Sequence, residues 1–185
     1  TEIREAIPVR LTPVMRKYVL HWGEMGQRWG VNRSVAQIHA LLWLSDEPLP
    51  AEEIAETLSI ARSNVSTSIK ELQGWNLVKL VHVEDDRRDR FEARHDPWDM
   101  LLTIVEGRKR REIDPTLEML RACADEAEAD PDTPASVRAR LRGMQMFMEQ
   151  VNGWYEQMRQ VPRPTLQKLV SLGAKVSTFL GGDRR

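Results

Sequence analysis

Apolar residues Leu11, Met15, Tyr18, Trp22, Met25 and Trp29 recur every three or four positions, which predicts an amphipathic first helix that Gly30 stops. Ser34 and Gln37 have the spacing of a capping box and predict a second helix running through Leu44. Pro48 and Pro50 punctuate the chain. Glu52 and Glu53 then complement the positive end of a third helix over residues 51–58, whose inward positions are Ile54, Ala55 and Leu58. Only Ser59, Ile60 and Ala61 separate it from a fourth helix, in which Val65, Ile69 and Leu72 face inward. Two short helices joined this closely form a helix-turn-helix pattern.

Asn76 suits a left-handed helix cap, after which residues 77–83 and 91–95 read as two strands around a charged tip, residues 84–90. Asp96 is the expected N-cap of a long helix with Pro97 at its first position, and Asp114 with Pro115 predicts a kink or restart. An acidic corner follows at residues 125–132. Beyond it Val137, Leu141, Met144, Met148, Val151, Tyr155 and Met158 alternate steps of four and three, the seam of a coiled coil. A last helix over residues 165–180 carries Leu166, Leu169, Val170, Val176 and Leu180. The expected fold is mainly α: a winged helix-turn-helix with a short two-stranded wing and additional long dimerisation helices. Residues 11–33 form a supporting or dimerising helix, 34–96 the winged head, and 97–182 a C-terminal helical dimerisation region.

The fourth helix, in the stretch ARSNVSTSIKELQGWNLVKL, turns Ser63, Thr67, Lys70 and Gly74 outward. A solvated helix face ordinarily carries long Glu and Lys side chains, whereas this one offers compact hydroxyls and an amide. Such a face fits the major groove, about 12 Å wide, of double-stranded DNA. The arginines of the adjoining charged tip suit a negative minor groove or the backbone, against the plainer reading of a solvated turn laced by Asp-Arg pairs. Apolar seams on the first, sixth and last expected helices exceed what one winged-helix core buries, so a homodimer seamed by Met144, Met148, Val151 and Tyr155 is expected.

Composition narrows the rest. At 185 residues the chain makes one or two domains, 41% hydrophobic and 30% charged, and its formal charge of −1 gives no global attraction to nucleic acid, so DNA binding has to rest on local patches. No apolar run long enough for a membrane span and no leader pattern is present, which makes a cytoplasmic, non-membrane protein the expectation. The single cysteine, Cys123, excludes an internal disulfide and a cysteine zinc site. The four histidines lack metalloprotease spacing, and neither a phosphate loop nor a nucleophile elbow occurs, so no catalytic residue, metal or cofactor is expected. Six tryptophans are many; Tyr18, Trp22 and Trp43 are candidates for an aromatic cage around a quaternary ammonium, weighed against plain core packing. The basic run at residues 108–111 reads as a solvated face.

Residues 31–93, and the helix pair and charged wing above all, resemble the MarR-type winged-helix regulators, more closely their GbsR-like subfamily; the similarity runs from about Leu11 to Leu180. The resemblance implies a dimeric DNA-binding transcriptional regulator, often a repressor released by a small ligand, with a choline-like effector as one candidate. It places DNA contacts at Arg62, Ser63, Asn64, Ser66, Thr67 and Lys70, and the wing pattern at Asp86, Arg87 and Arg88 with Arg90 beyond. Ala61 departs from the usual Ser or Thr N-cap, and Ser59 from the usual turn glycine. Two rival readings remain: a winged-helix protein-interaction module, and an architectural DNA binder without sequence preference.

Overall fold

A computed structural model describes residues 9–84 and 86–173. The chain divides between Lys109 and Arg110 into two compact units, whereas the sequence suggested boundaries after residues 33 and 96. The first helix therefore packs as part of the winged head.

In the first unit, α1 (Pro13–Arg28) packs on α2 (Arg33–Leu44), followed by β1 (Leu49–Pro50), α3 (Ala51–Leu58), α4 (Arg62–Gly74), β2 (Val78–Val83), β3 (Asp86–Ala93) and α5 (Pro97–Arg108). The α1 face that disappears completely is Val19, Gly23 and Gly26 rather than the large apolar stripe. A Cβ at Gly26 would lie 2.5 Å from the Ala36 Cβ, so the two helices meet at backbone distance. The capping box expected at Ser34 does not form. Asn32 is the N-cap, its Oδ1 accepting from the Ser34 amide at 2.8 Å, and the Ser34 hydroxyl is thereby left for another partner.

The core gathers Ile38, Leu41 and Leu42 of α2, Ile54 of α3, and Val65, Ile69 and Leu72 of α4. Ser59 closes α3 in the left-handed region at φ 55°, a geometry that glycine adopts without strain. Asn76 does the same after α4 at φ 58°.

The sheet has three strands in the order β1-β3-β2, not the two expected. β1 was hidden because Pro48 and Pro50 read only as punctuation; Leu49 pairs with Phe91 and Pro50 with Arg90 at the sheet's edge, where a proline is tolerated. The return strand starts at Asp86 rather than Phe91, so residues 86–90 of the expected charged tip are paired strand. Charge does not prevent pairing here, because Asp86 binds both Arg88 and Arg90 on one face of β3. Asp96 caps α5 as expected, accepting from the amides of Trp98 and Asp99.

A π-helical turn, Lys109–Ile113, runs from α5 into α6 (Asp114–Ala129), which accommodates Pro115 at the start of α6. In the second unit α6 packs on α7 (Ala135–Gln160) through Leu117, Leu120, Ala124 and Ala127. Arg121 Nε donates to Glu149 Oε1 at 2.8 Å across this pair. The acidic corner is shorter than expected, residues 125–129 being helical. α8 (Arg163–Leu172) covers the first part of the expected last helix; Val176 and Leu180 lie outside the described residues.

Candidate nucleic-acid interface

The candidate recognition face is set by α4. Val65, Ser68, Ile69 and Leu72 are buried, which turns Ser63, Asn64, Ser66, Thr67 and Lys70 to solvent. No side chain caps α4, because Ala61 occupies the N-cap, so its first amides point outward uncapped. Asn64 is held rather than loose: its Nδ2 donates to the Ser34 hydroxyl at 2.9 Å, and its Oδ1 accepts from Ser68 at 3.3 Å. The hydroxyl of Thr67 donates back to the Ser63 carbonyl at 3.1 Å.

Beside α4 the β2–β3 hairpin forms one wall of an open groove of about 600 Å³. α4 contributes Arg62, Ser66, Lys70 and Gln73; the hairpin contributes Leu80, Arg87, Asp89 and Phe91. Alternation along β3 separates its arginines. Arg87 is exposed, while Arg88 and Arg90 lie on the half-buried face. Arg88 binds both oxygens of Asp86 and approaches Glu53 at 3.5 Å; Arg90 binds Asp86 at 2.7 Å and the Pro48 carbonyl at 2.9 Å. Hydrogen bonds from Arg88, and then from Arg90, hold the Asp86 carboxyl far below the usual carboxylate range. That cluster pins the wing to α3 and to the strand before it. Arg62 is paired with Glu52.

The groove thus brings together Arg62, Ser66, Lys70 and Arg87, with Ser63, Asn64 and Thr67 on the same helix; Arg88 reaches its edge, and Arg90 is directed to the sheet. Gln73 and Ser34 escaped the sequence reading. Gln73 lies one turn beyond Lys70 and carries no motif, and Ser34 is linked to Asn64 across 30 residues.

The aromatic candidates pack on each other. Tyr18 stacks on Trp22 with centroids 5.5 Å apart and on Trp43 at 5.7 Å, so its ring is engaged by indoles instead of facing an open cage. Along α7, Met144 and Val151 are exposed, whereas Met148 and Tyr155 are half-buried. Phe147 and Trp154, 58% and 61% exposed, join Met144 and Val151 on one side, so the open stripe is rotated from the expected seam. Cys123 is half-buried, its thiol donating to the Met119 sulfur at 3.5 Å. Among the described residues no helix is long and apolar enough to cross a membrane.

The MarR family model matches residues 25–89, from the last turn of α1 into β3. The HTH-type transcriptional repressor GbsR of Bacillus subtilis (strain 168) is 26% identical over 102 residues, 55% of this chain and 54% of that protein. The chain therefore spans about half the length of the curated relative it matches. A solved structure described as a transcriptional regulator superposes with a TM-score of 0.56 at 21% identity, over 79% of this chain and 95% of that one, and shares its fold. The matched segment takes in the helix-turn-helix and much of the wing, so this part of the chain is similar to the MarR family.

Proposed function

We propose that the protein is a homodimeric, sequence-specific DNA-binding repressor whose affinity for DNA responds to a small effector. The observation that carries the reading is the groove between α4 and the hairpin, where a short-side-chain helix face and the solvent-facing cations Lys70 and Arg87 stand together. Ser63, Ser66 and Thr67 would meet base edges, while Lys70, Arg87 and the uncapped amides of α4 would meet phosphates. Arg88 and Arg90 act as positioning residues that hold the wing. Asn64, tethered to Ser34, sets the depth of the helix.

The second copy would cover the α7 stripe of Val137, Met144, Phe147, Val151 and Trp154. GbsR is named a repressor, which supports that sign of regulation.

Fluorescence anisotropy on the intergenic duplex beside the gene, against a scrambled duplex over a salt series, tests the reading. The native duplex should bind about 10³-fold or more tightly. Lys70→Ala and Arg87→Ala should each weaken every duplex and lower the salt slope by about one per protomer. Equal affinity for both duplexes would favour an architectural binder, and no binding would favour a protein-interaction module.

A further inference from the structure

Arg62 occupies a helix end that disfavours a cation. It is the first residue of α4, next to the N-cap Ala61, where the peptide dipoles leave positive charge and no side chain caps the amides. Glu52, in the first turn of α3, compensates by pairing with the guanidinium across ten positions of chain. Both side chains line the groove between α4 and the hairpin, beside Lys70 and Arg87. The groove that would receive DNA therefore holds a carboxylate against one of its own cations.

The two ends of this pair are unequal. The Arg62 side chain is 69% exposed and that of Glu52 30%, so the carboxylate is seated on α3 while the arginine extends toward solvent. The pair also differs from the neighbouring acid-arginine cluster. There Asp86 accepts from both Arg88 and Arg90 on a half-buried face, and Arg90 is fixed a second time by the Pro48 carbonyl. Those contacts hold the wing in place. An open pair such as that of Arg62 with Glu52 contributes little to folding and exchanges readily for another anion.

A DNA phosphate offers a guanidinium what Glu52 offers it, negative charge and two oxygens side by side. We propose that Glu52 is a built-in competitor of DNA: it occupies Arg62 as a backbone phosphate would, and is displaced when Arg62 turns to the duplex. This role rests on the DNA-binding reading above and adds to it a residue that lowers affinity. Released from Arg62, the carboxylate faces the phosphates and takes up a cation, so part of the gain from the new contact is lost. The loss is the same on every duplex, because a phosphate contact carries no sequence information. If Glu52 instead served to position Arg62 for DNA, its removal would act with the opposite sign.

Fluorescence anisotropy of the full chain on the native and scrambled duplexes, over a salt series, tests the role. Glu52→Gln keeps the shape of the side chain and removes its charge. It should tighten binding to both duplexes by about threefold to tenfold and steepen the salt slope by about one per protomer, since no carboxylate remains to take up a cation. Glu52→Ala should act in the same direction, and circular dichroism should show both variants folded as the wild type. In an Arg62→Ala background Glu52→Gln should change affinity by less than about twofold. Glu53→Gln, which removes the same charge beside Arg88, should tighten neither duplex. Weaker binding by the Glu52 variants would overturn the proposal in favour of a positioning role, and unchanged affinity would overturn it as well. So would an equal gain in the Arg62→Ala background or from Glu53→Gln, either of which reduces the effect to net charge. A gain confined to the native duplex would put Arg62 on a base edge and refute competition for phosphate. If wild type and variants alike bind no duplex, the proposed function falls and this role with it; wild-type binding that the Glu52 variants do not tighten sinks this role alone.

Discussion

The winged head and the α6–α7 pair are built on opposite principles. The head closes a core in which Ile38, Leu41, Leu42, Ile54 and Val65 are entirely or almost entirely removed from solvent. In the second unit α6 buries Leu117, Leu120, Ala124 and Ala127, yet the 26 residues of α7 include no buried side chain. A helix of that length with Phe147 and Trp154 in water has an apolar face still waiting for a partner. The head carries its stability within one chain; the second unit leaves exposed an apolar face that the proposed dimer would cover.

The largest effect should come from the head's core. Ile54→Ala should lower unfolding free energy by about 2–5 kcal/mol in a urea titration, since the side chain is fully buried. A loss below about 1 kcal/mol would mean that the head's core is far looser than its burial implies.

Acid should act on the same region. The His39 imidazole has a folded pKa near 4 against an ordinary 6.5, so the unfolded chain binds the proton more readily. Its contribution is intact above about pH 6.5 and declines as pH falls toward 4, by roughly 3 kcal/mol in all. Unfolding at pH 7.5 and 4.5 should reveal this loss, and His39→Leu should remove it.

Ala61→Ser should stabilise the head by about 1 kcal/mol by capping α4. It should also weaken DNA binding slightly, because the new hydroxyl competes with phosphate for the same amides. A gain in both properties would contradict that competition.

The smallest change in folding, within about 0.5 kcal/mol, is expected for Trp154→Ser on the open stripe of α7. Sedimentation should nonetheless show the proposed dimer weakened, because only association would bury that exposed indole. An unaltered dimer would assign the stripe to another partner.

The helices were legible because each advertises a period or a terminus: Asp96 with Pro97, Asn76, and the inward triplet Val65, Ile69 and Leu72. The outward face of α4 was legible for the same reason, since burying one side of the helix dictates what the other side presents. Contacts made over long separations were not. β1 depends on Leu49 meeting Phe91, and the tether of Asn64 depends on Ser34 being released by Asn32 from its expected capping role. Nor does composition say which arginine of a charged stretch points outward. That is a matter of register along β3, and one residue of slip exchanges Arg87 for Arg88.

The close meeting of Gly26 and Ala36 carries a consequence for descent. With 2.5 Å between a methyl group at one position and that already present at the other, neither site can accept a bulkier residue by itself. The two positions are inherited as a unit, and among diverged homologues a side chain gained at 26 should be accompanied by its loss at 36.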